Sequence, residues 1–227
     1  METNNNDKST NFKSHFGKFR WLKGNLGGLF FKIISLVFQP LLMPTYAMIL
    51  LINTDVFLMY PLLWRWIAVI GTALFTGVLP AIPIYILMRK GEVSDLFISK
   101  KEERTMPYLF TFMAYIFWAL FMWRTLQIPN FIAGMGMGSA VSILIAVFVN
   151  IKWKISAHAA AMGGFCAAIF GVCYRMALNP VWFFVSILFV SALVALARLE
   201  LKAHTPGQVL AGFAIGFTTV FTPCFFF

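Results

Sequence analysis

Seven apolar segments, each close to the length that a membrane span requires, constrain the fold of this chain more than any other feature. A helix needs about 20 predominantly apolar residues to cross the hydrocarbon core. The chain has 60% hydrophobic and 11% charged side chains, whereas a soluble domain carries roughly 25% charged residues. The sequence therefore predicts an all-α, polytopic transmembrane helix bundle. The predicted spans are residues 27–53, 63–88, 107–123, 130–151, 158–178, 181–197 and 207–227.

The first segment is the one whose path the sequence determines least. Gln39, Pro40 and Pro44 interrupt it, and proline kinks or breaks a helix. It either crosses with a kink or re-enters, so the bundle has six or seven spans. Residues 1–26 are rich in Asn, Ser and Lys and predict a disordered or interfacial basic tail. This tail precedes a single transmembrane domain over residues 27–227.

Pairs of small residues at four-residue spacing predict close helix contacts inside this bundle. Small side chains let helix backbones approach each other in lipid, where packing drives association. The pairs are Gly134 with Gly138, Ala159 with Gly163, and Gly212 with Gly216.

Positive charge is concentrated on one predicted face of the membrane, in a chain whose net charge is +10. Counting spans places loops 89–106, 152–157 and 198–206 on the same side as the tail, and these loops and the tail together hold most of the lysines and arginines. Two explanations stay open: the positive-inside bias that orients helices, and a basic cavity for an anionic lipid headgroup. Either is favoured over nucleic-acid binding.

Two of the three histidines, His158 and His204, lie where a polar loop on this face meets an apolar segment. A lone histidine at a helix end is commonly a structural hydrogen-bonding residue. Here Ser156 and His158 sit where a helix begins, so backbone N–H groups and the positive end of the helix dipole would face an anion. Arg198 offers a planar fork of donors that matches phosphate oxygens. Together these residues favour a phosphate site.

The order of these residues resembles the type 2 phosphatidic acid phosphatase superfamily over roughly residues 89–216. The signatures of that family are K-x6-R-P, P-S-G-H and S-R-x5-H-x3-D. The third corresponds to Ala197-Arg198, five residues, His204, three residues and Gln208. The second corresponds to Ile155-Ser156-Ala157-His158, and the first, in degraded form, to the stretch from Lys100 to Pro107.

The resemblance implies a membrane hydrolase that removes a phosphate or pyrophosphate monoester from a lipid through a phosphohistidine. It implies that His204 is the nucleophile, that Gln208 occupies the position of its orienting residue, and that His158 is the general acid. Phosphate-binding side chains are implied at Arg198, Arg104, Ser156, Lys100 and Lys101. The substrate would be phosphatidate, phosphatidylglycerophosphate, an isoprenyl phosphate or a similar lipid.

Several positions depart from the family pattern. Phe97 stands where the first-signature lysine is expected, so Lys100 or Lys101 would have to reach the phosphate instead. Pro107 follows Arg104 by three positions instead of one, and Ala157 replaces a glycine.

The most consequential departure is Gln208 in place of an aspartate. Its amide carbonyl can accept the imidazole N–H but brings no charge, and an Asp→Asn change in a protease triad lowers turnover about 10⁴-fold. Glu200 is the nearest carboxylate in the sequence that could substitute. The run from Thr205 to Gln208 also fits a helix capping box, and the sequence leaves capping and imidazole orientation equally open.

The sequence thus predicts a lipid phosphatase, with a catalytically silent protein of the same fold that binds lipid headgroups as the alternative. It predicts no metal or other cofactor, because it has no His/Asp cluster and no Gly-rich nucleotide loop. The expected partners are a lipid phosphate and membrane lipids, and the oligomeric state is left open. The expected location is a bacterial inner membrane, with the site cytoplasmic by span count and periplasmic by analogy with bacterial relatives.

Overall fold

The computed structural model describes residues 25–94, 98 and 100–227. The predicted basic tail up to residue 24, together with Phe97, lies outside the described residues. Within them the regular structure is helical. The helices are α1 (Asn25–Val37), α2 (Met43–Leu51), α3 (Asp55–Leu58), α4 (Leu62–Thr72), α5 (Leu79–Arg89), α6 (Thr105–Leu120), α7 (Asn130–Lys152), α8 (Ala157–Arg175), α9 (Val181–Glu200), α10 (Pro206–Phe221) and α11 (Pro223–Phe226).

The prediction of an all-α membrane bundle is confirmed. Across the described ranges, seven helical stretches are long and apolar enough to cross a bilayer, and their ends fall within three residues of the predicted ones. These spans are Gly27–Leu51, Leu62–Arg89, Thr105–Thr125, Asn130–Lys152, Ala157–Arg175, Val181–Glu200 and Pro206–Phe226.

Prolines interrupt the first two spans, and the first of these interruptions is the one that the sequence predicts. The first span is broken after α1, where a 3₁₀ turn at Pro40–Leu42 leads into α2. In the second span a π-helical stretch, Ala73–Val78, joins α4 to α5 just before Pro80. Proline has no N–H and its ring clashes with the carbonyl one turn earlier, so the wider π turn accommodates it.

The tightest packing in the bundle involves α10, and glycines make it possible. A Cβ on Gly216 would collide with the carbonyl oxygen of Ala160 on α8, and one on Gly212 would lie 2.6 Å from the carbonyl oxygen of Ser156. A Cβ on Gly163 would likewise collide with the backbone of Phe213. Backbone atoms cannot move aside as a flexible side chain can, so α8 and α10 are in direct backbone contact. This contact fixes the beginnings of the two helices beside each other.

The same spacing rule operates between α7 and α10. A Cβ on Gly138 would collide with the carbonyl of Thr219, and one on Gly134 would lie 2.9 Å from Pro223 Cβ. The predicted small-residue pairs therefore lie at helix contacts. α10 is held between α7 and α8, and the loop before α10 is placed over the end of the bundle.

Candidate active site

The loop between α9 and α10 carries His204, a residue that is 8% exposed. Its Nδ1 lies 3.1 Å from Gln208 Oε1. An amide oxygen can only accept, so Nδ1 carries the hydrogen and the lone pair of the neutral ring is on Nε2. The same Oε1 accepts from the backbone N–H of Thr205 at 3.2 Å, while Thr205 Oγ1 accepts from Gln208 N at 3.5 Å. Gln208 therefore caps α10 and orients His204 at once, where the sequence left the two roles as alternatives.

The environment of His204 keeps its ring neutral. Burial lowers the pKa of His204 from its usual 6.5 to about 3, and the positive charges of Arg104, Arg198 and Lys154 act in the same direction, against a small opposing effect from Gln208. Both causes disfavour a second proton, because a charged imidazole would be poorly solvated and would lie among cations. A neutral ring with a lone pair on Nε2 is the form that a nucleophile requires.

His158 lies in the first turn of α8, directly after the cap of that helix. Ser156 is fully buried, and its Oγ accepts from the N–H of Ala159 at 3.3 Å. His158 Nε2 lies 3.1 Å from the backbone carbonyl oxygen of Ser35 on α1. A carbonyl accepts only, so this nitrogen is the donor. The ring is held between α8 and the first span.

Arg198 occupies the last turn of α9 and is 7% exposed. Its Nη1 donates to Ser35 Oγ at 3.2 Å. Its Nε is buried and has no hydrogen-bond partner among the described residues. A buried donor left unsatisfied costs about 1–3 kcal/mol, and more where the group is charged. An anion at this position would satisfy it.

Arg104 is fixed more completely and is 4% exposed. Its Nε donates to the carbonyl of Ile98 at 2.8 Å and its Nη1 to the carbonyl of Ile155 at 3.0 Å. The second bond ties the loop before α6 to the residue that precedes Ser156. One turn later, the buried hydroxyl of Tyr108 lies beside this guanidinium without a well-formed hydrogen bond among the described residues. Arg104 is thus a rigid cation with a second polar group next to it.

Lys100, one of the two lysines of the degraded first signature, does not join this cluster in the same way. The side chain of Lys100 is 65% exposed and pairs with Glu103 at 3.1 Å. Lys100 is not among the described residues that line the cavity around His158 and His204. The other carboxylate oxygen of Glu103 accepts from Ser94 N and Oγ at 2.7 and 2.8 Å. These bonds lower the pKa of Glu103, the backbone bond most. The side chain of Lys101 lies outside the described part of the chain.

One cavity of about 230 Å³ brings the predicted residues together. Its polar end is lined by His158, His204, Arg104 and Arg198, all of them buried. Ser156 is next to this end, where its main-chain N–H donates to the carbonyl of Gln208 at 3.3 Å. The arrangement offers one neutral imidazole, a second imidazole, two guanidinium groups and the start of a helix to a single anion.

Three residues at this site were missed by the sequence reasoning. Ser35 binds both His158 and Arg198, Tyr108 lies beside Arg104 on the cavity wall, and the charge of Lys154 acts on His204. A lone serine in an apolar span was the signal for Ser35, because a polar group inside a membrane helix needs a partner. Lys154 was counted only with the basic face, two positions before Ser156.

Comparison with known proteins adds one finding. The sequence model of the PAP2 superfamily matches residues 129–225, a segment that runs from the start of α7 to α11 and includes the stretches that resemble the second and third signatures. No curated protein and no solved structure gives a significant match.

Proposed function

We propose that this membrane protein hydrolyses a phosphate or pyrophosphate monoester on a lipid through a phosphohistidine. Residues 129–225 match the sequence model of the PAP2 superfamily, whose members are generally phosphatases. The observation that carries the proposal is the buried, unsatisfied Nε of Arg198. It lines the same cavity as the neutral His204. A bound phosphate would supply the missing acceptor next to a group able to attack it.

In the first step of this proposal, His204 Nε2 uses its lone pair to form a bond to phosphorus. The bond between phosphorus and the lipid oxygen breaks, and that oxygen takes a proton from His158. In the second step, a water molecule gives a proton back to His158 and attacks the phosphohistidine, so the N–P bond breaks. The products are a lipid alcohol, or a lipid monophosphate from a diphosphate, and inorganic phosphate.

The protein lowers the barrier of this reaction with positive charges that are already fixed in place. Phosphoryl transfer spreads negative charge over the phosphate oxygens, and preorganised donors stabilise that charge without having to reorient. Arg104 is held by two backbone carbonyls, and Arg198 by Ser35. The first turn of α8 adds its dipole at the same end of the cavity.

His158 would act as the acid under a specific constraint. Its Nε2–H is engaged by the carbonyl of Ser35, so the ring acts as the acid in its doubly protonated form, with the transferred proton on Nδ1, and becomes neutral when it protonates the leaving oxygen. The bond to Ser35 fixes the tautomer and the ring plane, as a backbone acceptor does for many functional histidines.

The glutamine at position 208 favours the second candidate function, that of a catalytically silent protein that binds lipid headgroups. The glutamine keeps the geometry of the imidazole but cannot neutralise the positive charge that develops on His204. In a protease triad, the comparable loss of charge lowers turnover about 10⁴-fold. We therefore expect slow turnover from this chain.

The test is phosphate release by purified protein in detergent from phosphatidate, phosphatidylglycerophosphate and isoprenyl mono- and diphosphates. Wild type is expected to release phosphate and to retain label from a phosphate-labelled substrate after acid-free denaturation, and His204→Ala to do neither. Lys202→Gln, a change at an exposed position in the same loop, is the matched control and should behave as wild type. Binding of lipid phosphates without release by wild type would establish the silent alternative.

A further inference from the structure

The cavity that holds the histidines continues far into the bundle. Along α6 and the π turn after it, the wall is formed at every third or fourth position, from Arg104 at the polar end to Met122 at the other. At a rise of 1.5 Å per residue this stretch is about 27 Å long. On α7 the wall runs from Ala146 to Ile132, which is about 21 Å. The cavity therefore crosses most of a hydrocarbon core that is about 30 Å thick.

The wall below the polar end is largely apolar, and small side chains on two facing helices form part of it. α7 contributes Gly136, Ser139 and Ala146, and α8 contributes Ala161 and Gly164. Small residues on facing helices leave space between them that larger side chains would fill.

Two hydroxyl groups on the wall below the polar end are satisfied within their own helices. Thr111 donates to the carbonyl of Pro107 at 2.7 Å, and Ser139 to the carbonyl of Met135 at 3.0 Å. They present little unsatisfied polarity to the cavity, and apolar cavities do not hold ordered water. The contents that match this wall are hydrocarbon.

The cavity is narrow for its length. Its volume of about 230 Å³ is below the roughly 300–1,000 Å³ of ordinary ligand pockets. The cavity nevertheless extends along more than about 20 Å of helix, at 1.5 Å per residue. Such dimensions suit a single extended chain and not two chains side by side.

We propose that this channel, from Arg104 to Met122 and Ile132, holds the tail of a lipid phosphate that has one long hydrocarbon chain, while the phosphate lies among His158, His204, Arg104 and Arg198. The assignment of the headgroup rests on the proposed function. An isoprenyl chain and a straight alkyl chain share the required chemistry. A diacyl lipid would have to leave its second chain at a polar end that is buried by protein.

Fit, and not hydrophobicity, decides what the channel accepts. A tail that moves from the bilayer into the channel leaves one apolar medium for another, so no hydrophobic gain drives the transfer. Contacts with the wall and the absence of clashes remain as the selective forces. The channel therefore discriminates by the number and length of chains.

The first experiment does not depend on turnover. Hexadecyl phosphonate, which has no phosphate ester to cleave, is prepared with a diazirine on its last carbon and irradiated with the wild-type protein in detergent. We expect adducts at the far end of the channel, on Met122, Ile132 or Ala133. Adducts confined to lipid-facing side chains such as Phe117 and Met137, which are 51% and 42% exposed, would overturn the proposal.

The second experiment blocks the channel halfway. Ser139→Phe is expected to lower kcat/KM for hexadecyl and geranylgeranyl phosphate on the order of tenfold or more, and to leave octyl phosphate unchanged because its chain ends above the block. Val141→Phe, at a lipid-facing position on the same helix, is the matched control. An equal loss for octyl and hexadecyl phosphate in Ser139→Phe, or no loss for either, would contradict the channel.

Failure of the channel and failure of the phosphatase are distinguishable. Adducts at Met122 with no phosphate release from any lipid would retain the channel and reject the phosphatase. Phosphate release with adducts only on the outer surface would reject the channel alone. Dipalmitoyl phosphatidate hydrolysed as fast as hexadecyl phosphate would reject the restriction to one chain, and a markedly slower rate supports it.

Discussion

Gln208 Oε1 lies 3.1 Å from His204 Nδ1, and the same oxygen accepts the N–H of Thr205. One neutral amide thus begins a membrane helix and fixes the tautomer of the proposed nucleophile. The hydrogen bond from Thr205 does not displace the one from His204, because an amide oxygen has two lone pairs and can accept both. What the site lacks is a negative charge beside the imidazole.

Gln208→Asp is expected to increase the rate of phosphate release. A carboxylate would keep the acceptor and add the charge that stabilises a phosphorylated His204, so kcat should rise at least several-fold, with an upper bound of about 10⁴. Gln208→Ala is the control, because it loses the acceptor and the cap, and it should be slower than wild type and less stable by about 1 kcal/mol. Single-turnover kinetics measure the change in rate, and thermal unfolding measures the change in stability. An aspartate variant that is no faster than wild type would contradict a role for residue 208 in orienting His204.

Ser35→Ala is expected to weaken substrate binding more than it slows chemistry. The change leaves Nη1 of Arg198 without its acceptor, and a hydrogen bond from a charged donor contributes about 1.5–3 kcal/mol. KM should rise roughly tenfold, with a smaller effect on kcat. Ser186→Ala is the matched control, because that exposed hydroxyl bonds only the carbonyl of Trp182 on its own helix. An unchanged KM in Ser35→Ala would mean that Arg198 needs no support from the first span.

The fold could be predicted from the sequence because one physical length controls it. The thickness of the bilayer sets the number of apolar residues in a span, and loops with charges or Asn-Pro pairs mark the ends. The π turn at Ala73–Val78, just before Pro80, is different, since a proline indicates a bend but does not specify the kind of turn that accommodates it.

The residues that line the candidate site were predictable only where they are close in sequence or fit the pattern of a family signature. His204 and Gln208 are four positions apart, and His158 follows its own helix cap. The contact between Ser35 and His158 joins residues 123 positions apart, so it depends on how α1 packs, which no local pattern encodes. Lys100 and Lys101 were proposed as phosphate ligands although Phe97 stands at the signature spacing, and the structure shows Lys100 paired with Glu103.

Lys100→Cys should report on which side of the membrane the site lies. The side chain is well exposed, and the native cysteines, Cys166, Cys173 and Cys224, are buried. With seven spans and a cytoplasmic tail, an impermeant maleimide should label this cysteine only after the cells are permeabilised. Labelling of intact cells would place the site on the outer side. A cysteine at Gln127, in the loop between α6 and α7, is the control and should show the opposite behaviour.

Lowering the pH should destabilise the wild type more than a His204→Gln variant. The pKa of His204 is about 3 in the folded protein and about 6.5 in an unfolded chain. Below about pH 6.5 the unfolded chain therefore binds a proton that the folded protein does not, so stability is complete above that pH and falls towards pH 3. The loss by about pH 5 is at most roughly 2 kcal/mol. Thermal midpoints of both proteins in detergent measure it, and parallel pH profiles would contradict the lowered pKa.

Gly216→Ala should disrupt the contact between α8 and α10, and with it the site. The new Cβ would collide with the carbonyl of Ala160, and because that atom belongs to a helix backbone the two helices must separate. Overpacking usually costs about 1–3 kcal/mol, and a backbone clash belongs at the upper end. Gly28→Ala is the matched control, since nothing lies within 4 Å of a Cβ there. We expect a lower thermal midpoint and loss of phosphate release for Gly216→Ala alone, because moving α10 draws His204 away from His158; equal behaviour of the two variants would mean that the helices tolerate separation.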